Sequence, residues 1–167
     1  MLAGELKYYH MVTDTEEFVS DSLTESRRLF AQGIDAVDHG NTISALSCFE
    51  KALQIESRPI ISSYFAFCIA KERGQINTAI LLCTEAISKE PENSYHYLNL
   101  GRVYLVSKNK GDAVRIFREG LNYGPNEQIV HELNKLNTRK PPVFPFLKRS
   151  NPFNKYLGMI LKKLHLR

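Results

Sequence analysis

The sequence predicts an all-α protein, an array of helical hairpins packed side by side, and three observations carry that prediction. Ala45, Ala79 and Ala113 are spaced by 34 residues, and the residues around them recur in the same register. Turn residues recur with them: Gly40 and Gly74 within successive units, and Pro59, Pro91 and Pro125 between units. Small residues at such a spacing serve close helix contacts and have no use in a sheet.

Taken in order, the pattern predicts helices over 26–39, 42–56, 60–73, 76–89, 94–107 and 110–123, which pair into units 26–59, 60–93 and 94–127. Gly40 and Gly74 suit the left-handed end of a first helix, and Asn93 suits the N-cap of the third unit. A seventh helix over 127–137, within a capping segment 127–138, has Ile129, Leu133 and Leu136 on one face and covers the last open unit. Ahead of the array, residues 1–25 form an N-terminal extension. There Thr13-x-x-Glu16 and Ser22-x-x-Glu25 both read as capping boxes, so either a short extra helix precedes the array or the first helix starts early.

The third unit has Tyr97, Leu100, Gly101, Tyr104, Ala113, Phe117 and Pro125 in the order W-x2-L-G-x2-Y…A-x3-F…P, with Tyr at the first place. The first unit keeps Leu29, Gly33, Ala45, Phe49 and Ala52. The second keeps Ala66, Ala79, Ala86 and Pro91, with Ser63 where Leu29 and Tyr97 stand and Phe67 where Gly33 and Gly101 stand. That exchange of small for large one turn apart reads as a local repacking. In this register the chain resembles the tetratricopeptide repeat family, which implies a right-handed α-α superhelix of three repeats and a cap. More weakly, in size, repeat number and acidic N-terminal extension, it resembles the class II chaperones of type III secretion.

The resemblance implies a concave face lined by the first helices, with Arg27, Phe30 and Ile34 from unit one. Unit two contributes Tyr64, Cys68 and Lys71, and unit three Tyr95, Leu98, Asn99, Arg102 and Leu105. Among these, Phe30, Tyr64, Tyr95, Leu98 and Arg102 are expected to carry binding, as aromatic and guanidinium groups dominate binding hot spots. Relatives that bind chaperone C-termini use a basic and amide clamp. Here Phe30, Ile34, Tyr64 and Cys68 are apolar where that clamp wants Lys and Asn.

Charge is divided between the ends. Residues 1–25 hold six acids against Lys7, while residues 139–167 hold eight bases and no acid, so the overall +4 hides a polar molecule. In that tail Lys140-Pro-Pro-Val-Phe-Pro-Phe-Leu reads as an extended polyproline-like strand. Asn151-Pro152 then opens a basic amphipathic helix from Phe153 to Leu166. Five apolar residues, Phe144, Phe146, Phe153, Leu157 and Leu161, are expected to dock on the array. An anionic membrane surface, nucleic acid or another protein are the alternatives.

Cys48, Cys68 and Cys83 are odd in number and lack C-x-x-C spacing, so no disulfide framework or zinc site is suggested. The five histidines are scattered, and no catalytic or phosphate-binding motif is present. Neither a signal peptide nor a membrane span is readable, which leaves the cytoplasm as the expected location. The expectation is a non-catalytic adaptor without cofactor or metal, taking a protein or peptide in its groove. A secretion-type chaperone for an apolar segment, and a membrane or nucleic-acid adaptor acting through the tail, are the alternatives. Self-association is compatible with either.

Overall fold

The structure, a computed structural model, describes residues 21–137 and Tyr156. Helix α1 runs through residues 21–38. It is followed by α2 (Thr42–Ile55), α3 (Pro59–Arg73), α4 (Ile76–Lys89), α5 (Ser94–Val106), α6 (Lys110–Gly120) and α7 (Glu127–Asn137), with a 3₁₀ turn at Leu121–Tyr123. The array through Leu133 is one compact unit. Each hairpin closes on itself, α3 on α4 and α5 on α6. Stacking between units is carried by α2 on α3, α4 on α5 and α3 on α5. The first helices therefore line one side and share it. Among the described residues there is no strand, and no helix is long and apolar enough to cross a membrane.

Local chemistry explains the boundaries. Gly40 (φ +78°) and Gly74 (φ +67°) turn the chain out of α1 and α3 in the left-handed conformation that costs glycine nothing. Thirty-four residues further, Lys108 adopts φ +62° at the same point of unit three. A side chain there costs about 1–2 kcal/mol. The turn is held by hydrogen bonds from Lys108 N to Leu105 O (3.0 Å) and from Asn109 N to Tyr104 O (2.9 Å). Asn41, Asn93, Asn109 and Asn126 each accept a backbone N–H at a helix start, and Pro59 occupies the first turn of α3, where its missing N–H leaves no vacancy.

Two expectations shift. α1 already includes residues 21–25, so Ser22 lies inside a helix and is no N-cap, and Glu25 instead pairs with Arg28 at 2.6 Å. α6 stops at Gly120, whose backbone lies against Tyr97 and Ile129; a Cβ would stand 2.6 Å from Tyr97 Cβ and 3.0 Å from Ile129 Cδ1. The chain tightens into the 3₁₀ turn, and Tyr123 stacks on Tyr97 at 5.1 Å between centroids. The tail helix and the expected docking residues Phe144, Phe146, Phe153, Leu157 and Leu161 lie outside the described residues. So do Thr13 and Glu16.

The core is organised by a pair that recurs in every unit. Gly33 lies against the ring of Phe49, and Gly101 against that of Phe117; both rings are fully buried. Sixteen residues again separate Phe67 from Cys83, the equivalent pair of unit two, where the large residue is on the first helix and the small one on the second. Phe67 and Cys83 are both buried in the same core cluster. Ser63 has a different use. It leaves room for the fully buried imidazole of His96, whose Nδ1 is 3.0 Å from Ser63 Oγ and whose Nε2 is 3.0 Å from Glu90 Oε2. Asn99 Nδ2 also donates to Ser63 Oγ at 3.2 Å, and Asn93 Nδ2 to Glu90 at 3.0 Å.

This network makes stability depend on pH. Burial holds the His96 pKa below 6.5, although the Glu90 carboxylate pulls the other way. Burial also pushes Glu90 up, but hydrogen bonds from Asn93 and His96 outweigh it and leave its pKa below 4.5. A neutral buried ring binds fewer protons than the same ring in the unfolded chain. Stability is therefore expected to fall as pH drops below 6.5 through the lower folded pKa, with Glu90 adding a further loss below 4.5. Urea midpoints at pH 7.5 and 5.5 measure this for the wild type and for His96→Gln. An equal drop in both proteins would remove His96 as the cause.

Candidate functional site

The face shared by the first helices carries a pocket of about 420 Å³, within the range of built ligand sites. Two of its walls follow from helical spacing. Phe30, Ile34 and Asp38 recur every four residues along one stripe of α1, and Ile60 and Tyr64 do so on α3. Tyr95 from α5 and Gln128 from α7 complete the lining.

Aromatic contacts fix the walls. Tyr64 is buried and meets Phe30 edge-on at 5.6 Å, Phe49 at 5.6 Å and Tyr95 at 6.4 Å. Burial raises the pKa of the Tyr64 phenol, so it stays neutral. Tyr95, at the end of this series, is 44% exposed.

A polar chain runs along one edge. Arg102 Nη2 donates to Gln128 Oε1 at 3.3 Å, and Gln128 Nε2 donates to Asp38 Oδ1 at 3.3 Å, which orients the amide. The guanidinium lies 5.5 Å from the centroid of the Phe67 ring, and its Nε is 3.6 Å from Glu132. Its buried Nη1 has no hydrogen-bond partner. Arg102 is thus a pre-organised cation whose charge is already engaged.

Of the residues expected on the concave face, the structure brings Phe30, Ile34, Tyr64 and Tyr95 together in the pocket and sets Arg102 beside its Gln128 edge. Cys68, Leu98 and Asn99 are fully buried and offer no surface, a correction to their expected place in the groove. They face the neighbouring unit, because each first helix is flanked by others and buries more of its circumference than an amphipathic stripe does. Arg27 and Lys71 are exposed and Leu105 half-buried, and none of the three lines the pocket. Burial, with Glu72 adding to it, pushes the Cys68 thiol up to about 12, so Cys68 stays a neutral thiol. Among the described residues no group of three or more His, Cys, Asp or Glu is placed to hold a metal ion.

Asp38, Ile60 and Gln128 were not among the expected residues. A four-residue step onward from Ile34 and back from Tyr64 reaches the first two. Gln128 had no such signal, since it belongs to the capping helix.

A family model described as tetratricopeptide repeat matches residues 70–134. No curated protein matches the chain significantly. Among solved structures, the Arabidopsis OM64 TPR domain is 19% identical with a TM-score of 0.53, covering 69% of this chain and 96% of that one. The first TPR of Spaghetti (RPAP3), bound to the HSP90 peptide SRMEEVD, is 17% identical with a TM-score of 0.51, covering 68% and 90%. The second TPR domain of human RPAP3, in complex with the HSP70 peptide SGPTIEEVD, is 18% identical with a TM-score of 0.51, covering 71% and 99%. Residues 70–134 thus match the tetratricopeptide repeat family, and the described chain has that kind of fold, three hairpins closed by a capping helix.

Proposed function

We propose that this protein is a non-catalytic interaction module that holds an apolar segment of a partner protein in the groove formed by α1, α3, α5 and α7. The observation that carries this reading is the pocket itself: open, aromatic and aliphatic, and reached by a half-exposed Tyr95. Helix-borne apolar grooves take peptides by side-chain insertion. The reading gains support from the two RPAP3 structures, which hold peptides on the same kind of stack. Their peptides end in Glu-Glu-Val-Asp. Here no cation lines the pocket, and Asp38 stands at its edge, so an acidic terminus is not the fitting ligand.

An arrayed library of 12-residue peptides tests the proposal. Tyr95→Ala is expected to weaken the peptides that bind wild type by about tenfold or more, since an aromatic anchor at an interface contributes about 2 kcal/mol. Tyr64 is a poor choice for this test because its ring is part of the core. Leu81→Ala on α4, at a residue 67% exposed and outside the pocket, is the control and should bind as wild type. Unchanged binding by Tyr95→Ala together with loss in Leu81→Ala would place the partner elsewhere.

A further inference from the structure

We infer that the pocket receives a cationic side chain, a lysine or arginine carried on the apolar segment; this rests on the groove reading above and specifies its ligand. Three of the lining residues, Phe30, Tyr64 and Tyr95, are aromatic, and a ring face attracts a cation through its quadrupole while the rings pack the aliphatic stem. The charge of the site has one sign. Asp38 is the one ionisable acid or base other than tyrosine among the lining residues, and its carboxylate accepts one hydrogen bond from Gln128, leaving lone pairs for an ammonium or guanidinium. Asp38 also closes α1, so the carbonyl end of that helix adds negative potential at the same place.

The nearby cation does not cancel this. Arg102 is 3.6 Å from Glu132 and sits on the Phe67 ring, and it reaches Asp38 only through the Gln128 amide. The site is therefore the electrostatic inverse of one that grips an acidic peptide end.

The test uses the full chain and an array of 9-residue peptides. The central residue is lysine, arginine, norleucine or glutamate, and the flanking positions are drawn from Leu, Ile, Phe and Tyr. Lysine- or arginine-centred peptides are expected to bind about tenfold more tightly than their norleucine counterparts, from the combined cation–π and charge-assisted contacts. Asp38→Asn, at an exposed position, should remove most of that preference with an unchanged melting temperature, and Asp38→Lys should move it to glutamate-centred peptides. Equal binding of lysine and norleucine peptides, with Tyr95→Ala still weakening both, would overturn the cation inference and leave the groove reading intact. Binding by no peptide of any class would overturn both.

Discussion

Phe117→Ala is expected to lower the unfolding free energy by about 3–5 kcal/mol, the cost of emptying a fully buried aromatic site. The ring is completely enclosed and lies directly on Gly101, so its removal leaves a void that the helix backbone cannot close. The complementary change, Gly101→Leu, forces a side chain into the ring and is expected to cost about 1–3 kcal/mol. Together the two should cost less than their sum. Unit two already places a large residue, Phe67, on the first helix and a small one, Cys83, on the second. Urea denaturation of both single variants and the double variant measures the coupling. Additive losses would mean that the two positions do not share one volume.

Ile129→Ala is the second large effect, about 2–5 kcal/mol. Ile129 is fully buried, near the backbone of Gly120, and it anchors α7 on the third unit. Its neighbour Gln128 lines the pocket, and Glu132 one turn on pairs with Arg102. The variant should therefore lose peptide binding more steeply than global stability at temperatures well below its midpoint. Hydrogen exchange would show early opening of residues 127–133. Uniform acceleration across all helices would instead mean that the cap and the array unfold as one unit.

Most of the fold was readable because a repeat states its rules several times. The 34-residue period, the left-handed glycines and the Asn93 cap act through local backbone chemistry and steric size, and none of them depends on distant residues. They placed the helix starts and ends within a residue or two except at α1, which reaches back at least to residue 21, and at α6, whose last turn is the 3₁₀ turn Leu121–Tyr123. Four of the seven pocket-lining residues, Phe30, Ile34, Tyr64 and Tyr95, are among those the family resemblance implied for the concave face.

What the sequence determined by itself was the repeat and its hairpins. Only the tertiary structure decided which residues expected on the concave face keep a surface. Cys68 and Leu98 sit in the same register as the pocket-lining Ile34 and Phe30, yet both are fully buried, as is Asn99. It also decided why Ser63 is small, through His96 of the next unit. Gln128 joins Asp38 across 90 residues, and no periodic signal links two such positions. Volume and hydrogen bonds are conserved in space, between helices brought together by stacking, and one strand of sequence records only what each helix contributes.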